Sequence, residues 1–376
     1  MLRKLEKNWL LIIILEFAFF LRAYGMSFGL PYIYEADAHV YINRAVCFLQ
    51  TGDWNPHWFG NPASILMYLL AALYALYFII AKSFGFFNDI QSFTNYLRVN
   101  PTYFYLIGRG LMVFFGTLST LITYKIGKKI FGKKVGLIAA FLFAVIPMHV
   151  GASKIIRTDV MATFFILLSF LYCIHILEDD NLHSYIMAGI FAGLATATKY
   201  SAALVILMIV IARIMRKGQT LFRDTTGHGT SVPLPQGWAL FILGIWLTIF
   251  GMRFYYVFIP KINPIYFPLD LTQRFLSLFK ITPEVVIISG ILLVMISLLQ
   301  GRFMRAFRNF LRNSLLNSKV ILALVVSVCC FLMVTPFFLL EPSTVYDTIY
   351  FEVTQTHLGT ERLPFFQNYG WYLENY

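Results

Sequence analysis

The sequence predicts an all-α membrane protein that crosses the bilayer about nine times. Of its 376 residues, 59% are hydrophobic and 13% are charged, and the mean hydropathy is +0.71. Soluble domains carry about 25% charged residues, so an ordinary soluble domain is excluded. The net charge of +12 does not indicate nucleic acid binding, because the basic residues cluster in short segments between apolar runs, where they set membrane topology.

Ten apolar runs are the candidate membrane helices. A transmembrane helix needs roughly 20 apolar residues, with a range of about 17–25. The first run continues to Arg22 without a small-residue cleavage site, so we expect a retained helix and no cleaved signal peptide. The runs at 185–198 and 200–212 are short and predict a helical pair broken at Lys199. In chain order the runs are 9–24, 62–81, 103–124, 135–150, 160–177, 185–198, 200–212, 238–258, 284–300 and 320–340.

Basic clusters predict which loops face the cytoplasm. They precede the first run, follow the runs at 103–124 and 200–212, and separate the last two. Cytoplasmic loops carry the excess of Lys and Arg, and all four clusters fall inside only if 62–81 lies in the interface or re-enters the membrane. Nine crossings then remain, and 25–102 becomes a long external loop with interfacial juxtamembrane helices.

The same topology divides the rest of the chain. It places 151–159, 259–283 and 341–376 outside. The stretch 218–237, rich in Gly, Thr and Pro, predicts a flexible cytoplasmic linker. We therefore expect one membrane domain over 1–340, followed by an external loop over 341–376 that continues into further spans beyond this chain.

Two carboxylates follow the first apolar run in YIYEADAHVYINRA, residues 32–45. If this segment is extended, Glu35 and Asp37 point to the same side. Together they could bind a divalent cation, or one could act as a base while the other tunes it. The alternative is that Asp37 is a solvated loop carboxylate without a function.

More acids and bases are predicted at the same membrane face. Asp159 lies in RTDVMATFF (157–165), beside Arg157 and Lys154, and could instead cap a helix N-terminus. Lys199 lies between two apolar runs, where it either extends its side chain to the interface or binds a phosphate. Charges gathered at a membrane are costly without a function, so these residues are candidates for an active site.

Several stretches together resemble the GT-C class of membrane glycosyltransferases, in particular the protein O-mannosyltransferase and lipid A aminoarabinose transferase group. In that group an essential Asp follows the first span, and juxtamembrane helices come after it. Many members of that group show Asp-Glu at this site, whereas Ala38 follows Asp37 here. The resembling stretches are 34–71 (YEADAHVY…), 108–150 (GRGLMVFF…), 154–169 (KIIRTDVM…), 187–204 (MAGIFAGL…) and 335–359 (TPFFLLEP…).

The resemblance implies a reaction and a role for each candidate. A sugar on a polyprenyl phosphate would pass to a hydroxyl of a protein, lipid or glycan, with inversion at the anomeric carbon. Asp37 would be the general base, with Glu35 and Asp159 as further catalytic candidates. The substrate-binding candidates are Arg157, Lys199, Lys154 and His357.

The resemblance also predicts a possible metal site and the membrane face at which the reaction occurs. Asp37 and Asp159 are candidate ligands of Mg²⁺ or Mn²⁺, and no other cofactor is expected. The expected partners are the lipid-linked sugar, the acceptor and the bilayer, with the site on the external face of the plasma membrane. A multi-span transporter or flippase is the main alternative, but such proteins favour internal repeats and midplane binding sites. A purely structural scaffold would not need the acidic residues.

Overall fold

The computed structural model describes residues 9–32, 37–60, 62–226, 288, 291–292 and 317–354. Every regular element in these ranges is a helix, which confirms the all-α class. The chain divides into two compact units, residues 1–213 with 319–376 and residues 214–318. The first unit contains the candidate site. The predicted run at 238–258, and nearly all of the run at 284–300, lie outside the described residues.

Most helices coincide with the predicted apolar runs. Of three further helices, two lie in the stretch 25–102 and one follows residue 340. A 3₁₀ turn, Tyr200–Leu204, separates α9 from α10. The helices are α1 (Trp9–Ala23), α2 (Ala38–Thr51), α3 (Ser64–Ser83), α4 (Ile90–Val99), α5 (Thr102–Phe131), α6 (Lys133–Val145), α7 (Pro147–Ala152), α8 (Thr158–Asp179), α9 (Leu182–Thr198), α10 (Val205–Thr226), α11 (Ser318–Val334), α12 (Phe337–Leu340) and α13 (Pro342–Thr354).

Three of the described helices, α3, α5 and α8, are long and apolar enough to cross a membrane. The helices α9 and α11 are apolar but shorter. A membrane protein is therefore supported, and the number of nine crossings stays a prediction.

The helix α3 contacts the first two turns of α5. The Tyr74 hydroxyl donates to the carbonyl of Phe104 at 3.0 Å, the Tyr77 ring lies 6.2 Å from that of Phe104, and Leu70 packs on Gly108. The middle of α3 thus lies against the end of α5 that is predicted to face outside. These contacts suit a helix lying near the interface, and that placement stays a prediction because the length of α3 also allows a crossing.

Several predicted boundaries were wrong. The helix α5 continues beyond residue 124 through Lys125, Lys128 and Lys129, since Lys is a good helix former. It ends at Phe131, before Gly132, which has a φ of 89°. The helix α10 continues beyond residue 212 to Thr226, so the first part of the linker 218–237 is helical. Pro147 divides the run 135–150 into α6 and α7 because proline removes a helical hydrogen bond. The helix α13 lies in the segment 341–376, whose placement outside the membrane stays a prediction.

Small residues bring α9 and α11 close together. A Cβ atom added at Gly189 or Gly193 would collide with the backbone carbonyl of Ala323 or Ser327. In lipid, small residues at an interface let helix backbones approach each other closely. This contact fixes the position of α11, and therefore of the segment that follows it toward the candidate site.

Candidate active site

Asp37 is the residue before α2, and its side chain makes no capping hydrogen bond there. Its Oδ2 lies 3.9 Å from Nη2 of Arg157. The two side chains are 52% and 53% exposed. The carboxylate is therefore neither used to start a helix nor buried, and it faces a cation from the segment before α8.

Asp159 and Lys199 form a second ion pair. Asp159 lies in the first turn of α8, whose N-cap residue is Arg157, and its Oδ1 accepts a hydrogen bond from Nζ of Lys199 at 2.6 Å. Lys199 is extended, with φ of −154°, between α9 and the 3₁₀ turn. The predicted break at Lys199 is thus confirmed, and the ion pair accounts for both side chains better than capping or an extension to the interface.

The two ion pairs are close together. Arg157 and Asp159 are two residues apart, so their Cα atoms are at most about 7 Å apart. Guanidinium has five N–H donors and ammonium three, so each cation can contact a phosphate while it stays near its carboxylate. Around Asp37 the chain therefore combines a carboxylate that can accept a proton with two cations that can stabilise an anion.

Of the other predicted site residues, one lies in the described part of the chain and two lie outside it. Lys154 lies in the turn between α7 and α8, three residues before Arg157. Glu35 and His357 lie outside the described residues, so their roles stay predictions.

A metal site at Asp37 and Asp159 also stays a prediction. In the described part of the chain, the side chains His175, Glu178 and Asp179 are the ones grouped closely enough for three metal ligands. They lie at the other end of α8, where Glu178 forms an ion pair with Lys129. This group does not include either of the proposed ligands.

Sequence reasoning missed a polar network beside the site. The Asn55 side chain, 6% exposed, donates from Nδ2 to Oε1 of Glu341 at 2.5 Å. Nε2 of His57 lies 2.8 Å from Oδ2 of Asp53, and this hydrogen bond lowers the pKa of Asp53. The Asn-Pro dipeptide at 55–56 indicates a turn, but nothing in the sequence indicates that Glu341, 286 positions later, is the partner.

An apolar groove of about 480 Å³ lies next to this network. Tyr200, the residue after Lys199, donates its hydroxyl to the carbonyl of Phe59 at 2.9 Å. Its ring lies 6.4 Å from that of Phe338, which follows the groove residue Phe337. Tyr200 therefore connects Lys199 with the segment that lines the groove. The groove is lined by Trp54, Ile65, Tyr68, Leu69, Met333, Val334, Pro336 and Phe337.

Residues 108–234 match the family model described as dolichyl-phosphate-mannose-protein mannosyltransferase. This match confirms the resemblance to the GT-C glycosyltransferases. It covers Arg157, Asp159 and Lys199, and it ends before the apolar run at 238–258. Asp37 lies outside the matched range. No curated protein matches the chain.

Proposed function

We propose that this protein transfers a sugar from a polyprenyl-phosphate donor to a hydroxyl acceptor, with Asp37 as the general base. The supporting observation is that Asp37–Arg157 and Asp159–Lys199 pair at the same end of α8, with Arg157, Asp159 and Lys199 inside the matched range. The matching family acts from dolichyl-phosphate mannose by its description, which favours a lipid-linked donor here.

The donor fits the arrangement of charge and apolar surface. Its phosphate binds Arg157 and Lys199, and the start of its lipid tail lies in the groove lined by Trp54 and Phe337. The contacts of Tyr200 with Phe59 and Phe338 connect these two subsites. A lipid tail favours the apolar groove because burial removes its surface from water.

The reaction breaks the bond between the anomeric carbon and the phosphate oxygen. The acceptor oxygen attacks the anomeric carbon from the opposite side, its proton passes to Asp37, and polyprenyl phosphate leaves. Charge develops on the departing phosphate, which Arg157 and Lys199 stabilise electrostatically. The configuration at the anomeric carbon is inverted.

We also propose that Mg²⁺ or Mn²⁺ binds at Asp37 and Asp159. Each ion pair involves one oxygen of its carboxylate, and Mg²⁺ is commonly held by one or two carboxylates together with substrate phosphates. The ion would neutralise negative charge on the leaving phosphate. Chelation followed by addition of Mg²⁺ tests this: activity that is lost and then restored supports the site, and unchanged activity excludes it.

The proposed location is the external face of the plasma membrane, which follows from the basic clusters. The position of the Asp37–Arg157 and Asp159–Lys199 pairs argues against a transporter. Both pairs lie at the end of a helix, where a lipid head group and an acceptor from the water phase can react. Transporters bind their substrates near the bilayer midplane.

The proposal is tested with purified protein in liposomes. We expect one of several polyprenyl-phosphate hexoses and pentoses to release polyprenyl phosphate when a hydroxyl acceptor is added. The Asp37→Asn protein is the matched control and should release little. Absence of release with every donor, together with movement of labelled lipid-linked sugar between leaflets, would establish a flippase instead.

A further inference from the structure

Arg22 is a fully buried cation in the last turn of α1, with 0% of its surface exposed. Burying a charge is costly unless its hydrogen-bonding groups are satisfied. The guanidinium of Arg22 donates to three backbone carbonyls, those of Ala18 at 2.9 Å, Ala144 at 3.1 Å and Phe143 at 3.3 Å. Ala18 belongs to α1 and the other two belong to α6, so this side chain joins the two helices.

Arg22 supplies donors to carbonyls at a broken helix end. The last four carbonyls of an α-helix have no partner within it, and those of Phe143 and Ala144 are among the last four of α6. Pro147, four residues after Phe143, has no N–H to donate. Nη2 of Arg22 also lies 3.2 Å from Nδ1 of His149 in α7, and this nitrogen accepts because a guanidinium only donates. Arg22 therefore holds both sides of the break at Pro147.

Arg22 also packs beside the turn between α7 and α8, residues 153–157, which we call the α7–α8 turn. A Cβ atom added at Gly116 of α5 would lie 2.6 Å from Oγ of Ser153 and 2.9 Å from Nε of Arg22. Ser153 is fully buried, and its hydroxyl donates to the carbonyl of His149 at 2.7 Å. The start of the turn is thus held against α5 in one contact with Arg22.

A second contact with α5 holds the end of the same turn. Ile156 is fully buried, and its Cδ1 would lie 2.5 Å from a Cβ atom added at Gly108, two helical turns from the first contact. Arg157 follows directly, and its Nη2 lies 3.9 Å from Oδ2 of Asp37. Both ends of the α7–α8 turn are therefore packed on α5, so a displacement at its start moves the backbone that carries Arg157.

We propose that Arg22 is a positioning residue, which holds the α7–α8 turn on α5 and thereby places Arg157 opposite Asp37. Arg22 takes part in neither of the two ion pairs, so its effect on a donor has to pass through the turn. The inference rests on the proposed function for the binding of phosphate by Arg157. The anchoring of the turn can be measured without any substrate.

Hydrogen exchange of the full-length protein in nanodiscs measures the anchoring. An apolar side chain of similar volume often replaces a buried charge without loss of folding, so Arg22→Met removes the donors alone. The amides at 153–155 donate hydrogen bonds within α7 and the turn, and we expect their exchange to become at least about tenfold faster.

Glycine substitutions provide a second variant and a matched control. Gly116→Ala should accelerate the same amides, because its methyl group displaces Ser153 and Arg22 without removing a donor. Gly110→Ala lies on the same helix, but a Cβ atom there meets nothing within 4 Å. It should exchange like the wild type, which excludes a general effect of alanine in α5.

A double-mutant cycle tests whether Arg22 acts through Arg157. The probe is a fluorescent short-chain polyprenyl phosphate, titrated into the protein in nanodiscs. Arg22→Met should raise its Kd about tenfold in the wild-type and Lys199→Ala backgrounds. In Arg157→Ala the rise should be less than about twofold, because the contact that Arg22 positions is already absent. Gly116→Ala should give the same pattern, and Gly110→Ala should bind like the wild type.

Each outcome has a distinct meaning. Unchanged exchange at 153–155 in folded Arg22→Met or Gly116→Ala protein overturns the inference, and so does an equal rise of Kd with and without Arg157. Probe binding that depends on Arg157 but not on Arg22 or Gly116 refutes the positioning role and supports the proposed function. Faster exchange in both variants, with no binding of the probe to the wild type, supports the anchoring by Arg22 and refutes the proposed function.

Discussion

The two ends of α8 carry charged clusters of the same residue types with different organisation. At the Asp37 end, each cation faces one carboxylate, and the side chains are 35% to 53% exposed. At the Asp180 end, one carboxylate accepts hydrogen bonds from Arg213 at 2.7 Å and Lys319 at 3.1 Å, and from the Tyr185 hydroxyl at 2.9 Å. Lys319 also donates to the carbonyl of Asp180 at 2.7 Å.

The difference separates a structural cluster from a site that can take a ligand. Asp180 connects the turn after α8 with α10 and α11, and its oxygens are occupied by partners from the chain itself. Burial raises the pKa of Asp180, but the hydrogen bonds from Arg213, Tyr185 and Lys319 outweigh it, so the pKa is lowered overall. The cations at the Asp37 end have spare donors and exposure, as a phosphate site requires.

The largest expected effect is all-or-none and concerns which side of the membrane each end of α8 faces. In Cys47→Ser, Cys329→Ser protein, a single cysteine introduced at Asn88 or Lys128 is treated with an impermeant maleimide in intact cells. Both positions are exposed. Positive-inside topology predicts labelling at 88 and none at 128. Labelling at 128 would put the Asp180 end outside and reverse the proposed location.

Removal of the proposed base should have the next largest effect. Asp37→Asn keeps nearly the same shape but cannot accept a proton, so we expect the transfer rate to fall about 10²–10⁴-fold. Asp180→Asn is the matched change at the other end, and it should retain the rate per folded molecule. Equal transfer rates in folded Asp37→Asn and wild-type protein would remove Asp37 from catalysis.

Removal of a phosphate contact should have an intermediate effect. A hydrogen bond to a charged group contributes about 1.5–3 kcal/mol, so Lys199→Ala should weaken donor binding about 10–100-fold. Acceptor KM should be nearly unchanged. Lys199→Arg should rescue binding only in part, because a planar guanidinium does not reproduce a compact ammonium. Lys319→Ala, the control, should leave donor affinity intact.

The smallest expected effect is on stability at the Asp180 end. Asp180→Asn should lower the free energy of unfolding by about 1–3 kcal/mol, measured as thermal stability in detergent. Because the pKa of Asp180 is lowered in the folded chain, its contribution is complete above the unfolded pKa of about 4 and is lost as the pH falls through the folded pKa. The stability difference between wild type and variant should therefore shrink below about pH 4. A constant difference from pH 6 to pH 3 would contradict the charge-based role.

The sequence predicted which residues lie at the Asp37 end because the basic clusters favour a topology in which their segments share one membrane face. Asp159, Arg157 and Lys199 were assigned together for this reason. The pairing of Asp159 with Lys199 and of Asp37 with Arg157 could not be predicted, because it depends on how helices pack side by side. The hydrogen bonds from Arg213 and Lys319 to Asp180 were missed for the same reason, since the donors lie on helices that are distant in the sequence.

The hydrogen bond between Asn55 and Glu341 has a consequence for biosynthesis. Translation adds about 5–20 residues per second, so Glu341 is made about 15–60 seconds after Asn55. During that interval the loop around Asn55 has left the ribosome, while the segment that carries its partner does not yet exist. The hydrogen bond at Asn55 therefore forms late, after the segment that follows α11 has been made, and a chain that stops before residue 341 cannot form it.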